Sequence, residues 1–282
     1  MAPIALVTDS TSTIPADLVA KYGIFVGPQV VIWDGQSLED GVDIMPDAFY
    51  TRLKTSPTMP TTSQVTVASF HKIFQPLVAA GRDIIALLIS TKLSGSIQSA
   101  EQAKQDFPGA RIEIIDSMHA AMSLGFQVLM TARQIEAGRP FQEVVAYARS
   151  AKDHVGIMFV VDTLEFLHRG GRIGGATRLL GTALNMKPLL FVDNGRIEPL
   201  ERVRTKAKAR ARMLDLLGEK VKGHERVRIA TLHAAAEEEA NAVLAEARAR
   251  FSPVESMVCW ASPAIGTHVG PGIVGVAYCL DL

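Results

Sequence analysis

Three hydroxyl-rich segments stand out for the chemistry they could do: Thr8-Asp9-Ser10-Thr11-Ser12-Thr13, Pro60-Thr61-Thr62-Ser63-Gln64 and Ser90-Thr91-Lys92-Leu93-Ser94-Gly95-Ser96. Clustered neutral donors suit an anion that must be held without being neutralised outright, such as a carboxylate or a phosphate. Ser94-Gly95-Ser96 is expected to open a helix, where free backbone N–H groups and the helix dipole favour negative charge. Gly95 would let a ligand approach the backbone closely. Helix capping by Ser and Thr accounts for any one such loop taken alone. Their joint placement argues for more. The first and third are expected at strand carboxyl ends on one sheet edge, where α/β sheets bind their ligands.

A histidine adds to this set. Gly266-Thr267-His268-Val269-Gly270-Pro271-Gly272 precedes the last strand and is expected to form a tight turn around His268. Charged or neutral, the imidazole can donate to a carboxylate. The chain has seven histidines, none close enough to another in sequence to form a local metal motif. Arg169, Arg172, Arg178, Arg196, Arg202, Arg204, Lys206, Lys208, Arg210 and Arg212 make the middle of the chain locally basic. Alternate residues of a helix do not share a face, so Lys206 to Arg212 cannot form one stripe. A Gly-Gly-Arg turn paired with a basic strand end reads instead as a docking patch for an acidic or phosphate-bearing partner.

Common catalytic and nucleotide signatures are missing. There is no GxxxxGK[ST] loop, no GxSxG elbow and no HExxH. Gly170-Gly171-Arg172-Ile173-Gly174-Gly175 carries arginine where a dinucleotide loop beginning at Gly170 needs its second glycine. A Ser-His-Asp set assembled in space from Ser94, His268 and Asp9 remains an alternative, although nothing local marks a nucleophile.

Positioning these groups calls for strands and helices in alternation. Ile4 to Val7 reads as a first strand. A helix follows from near Pro15, with Thr13 as its cap and Gly23 as its stop. Phe25 to Trp33 reads as a second strand and Asp83 to Ser90 as a third, followed by a helix from Gly95 to Phe107. Arg111 to Ile115 is a fourth strand, leading to a long helix that ends at Ala137 with Gly138 as its stop. Such alternation predicts a mainly parallel sheet with helices on both faces. The second half differs. Leu189 to Val192 and Arg196 to Val203 flank Asp193-Asn194-Gly195, a strong hairpin signal. Val155 to Val161, Val227 to Leu232, Ser256 to Trp260 and Ile273 to Leu280 read as strands. Thr205 to Leu217 and Glu237 to Phe251 read as helices. The expected class is therefore α/β with two domains: residues 1–153, mainly parallel and carrying the hydroxyl loops, and 154–282, mixed with an antiparallel hairpin.

Composition sets the bounds. The chain has 282 residues, 48% hydrophobic and 21% charged, enough to bury a core without staples. Its 29 basic and 29 acidic side chains cancel, which argues against a general nucleic-acid binder. The two cysteines, Cys259 and Cys279, form no zinc or disulfide pattern. No apolar run approaches the length of a membrane span, so at most transient membrane contact is expected. No signal peptide is seen, and a cytoplasmic location is the simplest expectation.

At this point the residues carry a family resemblance. The chain resembles the DegV family of bacterial fatty-acid-binding proteins. The likeness rests on the first two hydroxyl segments and on Ile89 to Ala100, which contains Leu-Ser-Gly. Leu167-His168-Arg169-Gly170-Gly171-Arg172-Ile173, Asn185-Met186-Lys187-Pro188 and Thr267-His268-Val269-Gly270-Pro271-Gly272 complete it. These segments run in the family's order over nearly the whole chain. The resemblance implies two α/β domains with a long-chain fatty acid, such as palmitate or stearate, between them. The carboxylate would be held by Thr62 and Ser94, with His268 as a third donor and Thr61, Gly95 and Ser10 nearby. It further implies a non-catalytic subunit of a fatty acid kinase, with no cofactor or metal. A separate ATP-binding subunit would phosphorylate the bound carboxylate to an acyl phosphate for phospholipid synthesis. Arg172 and Arg204 would dock that kinase. Two departures bear on pocket shape: Ala121 and Ser123 where the family usually has Ser and Gly, and Ser96-Ile97 where it has Thr-Tyr. The remaining alternatives are a stand-alone hydrolase or phosphotransferase, and a regulatory interaction module.

Overall fold

The computed structural model describes residues 2–180 and 186–282. In chain order the elements begin with β1 (Ile4–Asp9), α1 (Ala16–Tyr22), β2 (Phe25–Gly27), β3 (Val30–Trp33), β4 (Gln36–Glu39), α2 (Pro46–Thr55), β5 (Thr61–Ser63) and α3 (Val67–Ala79). Next come β6 (Asp83–Leu88), α4 (Ser96–Lys104), β7 (Ile112–Asp116), α5 (Ala121–Glu136), α6 (Phe141–Ser150), β8 (Val155–Val160) and α7 (Glu165–Arg169). The chain continues with β9 (Lys187–Asp193), β10 (Arg196–Val203), α8 (Lys206–Val221), β11 (Val227–His233), α9 (Glu237–Phe251), β12 (Glu255–Trp260), α10 (Pro263–Val269) and β13 (Val274–Leu280).

The first sheet is parallel, in the order β2-β1-β6-β7. Its central strands β1 and β6 carry mainly apolar runs, as sheets covered on both faces require. Helices α3 and α4 pack on one face around Phe70, Phe74, Ala100 and Ala103. On the other face α5 and α6 contribute Phe126, Leu129, Phe141 and Val144. The second large sheet runs β10-β9-β8-β13-β11-β12 and mixes antiparallel with parallel pairs. Its outer face is covered by α8 and α9 through Met213, Leu217, Val243 and Leu244. Its inner face shares α5 with the parallel sheet: Val155, Ile157, Leu232 and Ala277 belong to the same core as Leu6, Ile85 and Leu87. Helix α5 is therefore buried all round, from Ala121 to Ala132, and joins the two sheets.

A small sheet, β4-β3-β5, exists because the apolar run from Phe25 to Trp33 is not one strand, as the sequence led us to expect. Pro28 has no N–H for a ladder, and the chain breaks there. Phe25–Gly27 joins β1, whereas Val30–Trp33 pairs with β4 and β5 in another sheet. Thr13 does not cap α1 either. It takes a left-handed conformation (φ 53°) that closes a short turn at Ser10–Ser12, and Pro15 precedes the helix. Gly23 does end α1, at φ 58°. Four helices, α2, α3, α6 and α7, carry no expectation from the sequence; α2 starts on Pro46, and α3 accommodates Pro76 in its last turn. The hairpin forms as expected, with Asn194 at φ 46° and Gly195 at φ 79°, the mirror-image turn that suits twisted strands.

Candidate functional site

Because β1 and β6 are parallel neighbours, the loops that follow them emerge on one edge of the sheet. The small sheet brings β5, and with it Thr62, to the same place. Helix α10 arrives from the far end of the chain. The glycine-rich segment around His268 is not the tight turn expected. It is mostly helix, capped by Ser262, with His268 on the last turn and Gly270 and Gly272 at positive φ beyond it. Gly266 lies inside the helix because it packs against Tyr50, where a Cβ would fall 2.5 Å from the phenol oxygen.

Here Thr62 Oγ1 and His268 Nε2 are 2.7 Å apart. Burial, and secondarily the Arg172 guanidinium, push the His268 pKa down to about 4, so the imidazole is neutral at pH 7. Its Nδ1 is buried without a partner. An orphaned lone pair is less costly than an orphaned N–H, so the proton belongs on Nε2. Nε2–H then donates to Thr62 Oγ1, and the threonine's own hydrogen is free. The ring sits over Gly170, where a Cβ would fall 2.0 Å from Nδ1. That contact is the reason for a glycine at 170, and nothing local beyond the Gly-Gly step signals it.

Ser94 is arranged similarly. Ser96 Oγ accepts from Gln29 Nε2 at 2.9 Å and from Val65 N at 3.3 Å. With its lone pairs so occupied, Ser96 directs its hydrogen to Ser94 Oγ, 3.0 Å away. Ser94 in turn has only a long contact of 3.4 Å to Gln29 Oε1 for its hydrogen. Thr62 and Ser94 thus each accept from the protein and each retain a hydrogen for a guest. Gln29 was not anticipated. It follows Pro28 at the strand break, is almost wholly buried, and fixes this arrangement.

These groups line one end of a cavity of about 80 Å³, which also includes Gln64 and Arg172. The cavity shares Leu93, Ala120, Ile197, Ile265 and Val269 with a second, of about 70 Å³, whose walls are apolar throughout. Its further walls include Ile157, Phe159, Leu232 and Ile273. The pair forms a slot with a polar mouth and an apolar interior between the two large sheets.

The other residues singled out from sequence are placed differently. Thr61 is exposed, and alternation along β5 turns its side chain away from that of Thr62. Gly95 stands at the start of α4, but the space over its α-carbon is filled by Gln64, 3.2 Å from where a Cβ would be. Ser10 faces away from the slot. It donates to Asp40 Oδ2 at 2.8 Å and accepts from Gln29 N at 3.0 Å. Arg172 is part of the mouth, with Nε donating to Leu93 O at 3.0 Å and Nη1 to Gly170 O at 2.7 Å. Arg204 is exposed just before α8. Asn185 lies outside the described residues.

A hydrolase arrangement is not assembled. Asp9 accepts from Thr11 N at 3.0 Å, from Thr11 Oγ1 and from Ile89 N at 2.8 Å, so its oxygens are engaged in joining β1 to β6 and not with His268. The hydroxyl hydrogen-bonded to His268 is that of Thr62, not Ser94. Among the described residues no cluster of His, Cys, Asp and Glu could hold a metal ion, and no helix is long and apolar enough to cross a membrane. Cys259 and Cys279 are buried free thiols.

Comparison with known proteins gives a consistent result. A DegV domain-containing protein of Clostridium perfringens is 36% identical over 99% of both chains. The solved structure of a fatty-acid-binding DegV family protein from Thermus thermophilus superposes with a TM-score of 0.93 at 36% identity, covering 99% of each chain. DegV of Bacillus subtilis, described as a fatty acid binding protein, superposes with a TM-score of 0.92 at 31% identity over the full length of both. A model of the DegV family, described as uncharacterised proteins, matches residues 3–281, and the chain belongs to that family.

Proposed function

We propose that this protein binds a long-chain fatty acid, with the acyl chain in the apolar part of the slot and the carboxylate at its mouth. The observation that carries this reading is that a cavity lined by two hydroxyls, Thr62 and Ser94, shares its walls with one lined only by apolar groups. A buried methylene contributes about 0.8 kcal/mol, whereas a buried carboxylate without partners costs several. A fatty-acid site therefore needs both halves. Arg172 supplies positive charge beside the head group, and His268 acts through Thr62 by keeping its hydrogen directed inward. The fatty-acid binding described for the Thermus thermophilus and Bacillus subtilis relatives supports the reading.

The carboxylate lies at the mouth, and no nucleophile is poised against it. The protein therefore acts as a carrier that shields the chain and presents the head group to a separate, ATP-using kinase, which forms the acyl phosphate. Arg204 and its basic neighbours are the docking surface in this reading. Native mass spectrometry of the purified protein, followed by denaturing extraction, tests it. A bound C16 or C18 acid is expected; a protein that stays ligand-free in excess fatty acid refutes the carrier. Charge reversal at Arg204 is expected to abolish kinase-dependent phosphorylation while fatty-acid affinity is unchanged.

A further inference from the structure

We infer that Ile157 and Val192 form the end wall of the apolar slot and set the longest acyl chain it accepts; this rests on the fatty-acid reading above. Strands β8 and β9 pair only where Met158, Phe159 and Val160 face Phe191, Leu190 and Leu189. Continued by one residue, that register would set Ile157 opposite Val192, and by two, Gly156 opposite Asp193. The ladder stops instead, and the β9–β10 hairpin departs toward the other sheet. Its tip is held there, with Ser90 Oγ donating to Gly195 O at 2.9 Å.

The sheet is therefore split just where the slot ends. On the inner side Ile157 and Val192 line the apolar cavity. On the other side the same two residues line a separate cavity of about 330 Å³, which reaches the surface beside Lys152 and Lys220. Its walls turn polar: His119 stands there with Nδ1 buried and unpartnered. The rest of the slot is lined from paired strands, from α10 and from the start of α5. At the split no backbone ladder closes the wall. Two branched side chains, nearly buried, separate the two cavities.

Trimming either side chain should join the cavities and admit further methylenes. Each methylene newly buried is worth about fourfold in affinity. Enlarging one should shorten the slot. The test offers the full-length protein an equimolar mixture of saturated acids from lauric to lignoceric and reads the bound chain lengths by native mass spectrometry. Ile157→Ala and Val192→Ala are expected to shift the bound population to longer acids than in the wild type. Ile157→Phe and Val192→Phe are expected to shift it to shorter ones. The opposed pairs separate a wall from a general loosening of the core, which would not shorten the preference. Folded variants that keep the wild-type length distribution overturn the inference. A wild-type protein that takes up none of the acids overturns the carrier reading itself, and variants are then not needed.

Discussion

The loops after β1 and β6 are built from the same residue types and leave the same sheet edge, yet they have opposite uses. After β1, the hydroxyl hydrogens of Ser10 and Thr11 are consumed by buried carboxylates: Thr11 donates to Asp9, and Ser10 donates to Asp40. After β6, and on the β5 segment beside it, Ser94 and Thr62 have their acceptor sides filled and their hydrogens left over. The first loop closes a joint between strands, whereas the second supplies the hydroxyls of the proposed site. What distinguishes them is the presence of a buried carboxylate within reach. Asp9 and Asp40 saturate one loop, and among the described residues no carboxylate hydrogen-bonds Ser94 or Thr62.

The sharpest way to break this contrast is Asp9→Ala. It strips three donors of their acceptor in a fully buried place, and orphaned buried groups cost about 1–3 kcal/mol each. A loss of roughly 3–5 kcal/mol in urea unfolding is expected. An unchanged urea midpoint would show that the joint is not structural.

Asp40 gives the next effect. Burial raises its pKa from 3.8 to about 6, opposed by hydrogen bonds from Ser10, Ser262 and the Ala264 amide. Because the folded-state value is the higher one, the stabilisation from protonation is complete below about pH 3.8 and lost as pH rises through about 6. The shift corresponds to about 3 kcal/mol. His119 and His268, both lowered to about 4, contribute with the opposite slope, but they are common to wild type and variant. Asp40→Asn should therefore gain stability relative to wild type as pH rises from 4 to 7, measured as the difference between urea midpoints. A pH-independent difference would sink the assignment.

On the receptor side the signature reverses. Ser94→Ala and Thr62→Val should each weaken fatty-acid binding by roughly ten- to a hundredfold, since hydrogen bonds to charged groups are worth about 1.5–3 kcal/mol. Their urea midpoints should scarcely move. Titration with a fluorescent fatty acid reads the first quantity. The idea fails if stability drops and affinity does not. Smallest is Gly170→Ala, whose methyl group displaces the His268 ring and should reduce affinity about fivefold to tenfold, in line with roughly 1–1.5 kcal/mol of overpacking. No further loss when Gly170→Ala is added to His268→Ala would show that the two act as a unit.

Much of this molecule could be read from its sequence. Parallel strands, the hairpin at Asn194-Gly195 and the helix opening at Ser96 follow from local rules. The family resemblance also groups Thr62, Ser94 and His268, and all three line one cavity. What could not be read is hydrogen-bond supply and demand. Ser10 resembles Ser94 in sequence, and only its distance from Asp40 removes it from the site. Gln29 gave no signal, because its role comes from the chain break after Pro28. Glycines 95, 170 and 266 looked alike as flexible positions, yet each packs under a different side chain. The wall at Ile157 and Val192 depends on a register that ends early, which no local pattern records.

Thr62 and His268, which meet at 2.7 Å, are 206 residues apart in the chain. Closing so long a loop comes late in folding, because the entropy of closure must be met before the contact rewards it. By that argument the Thr62–His268 contact is among the last that the folding chain makes. Ligand that binds only the finished form adds stability by mass action, about 2.7 kcal/mol at a hundredfold excess over its dissociation constant. On the proposed fatty-acid reading, molecules that have closed the 62–268 contact gain this stabilisation, and those that have not do not.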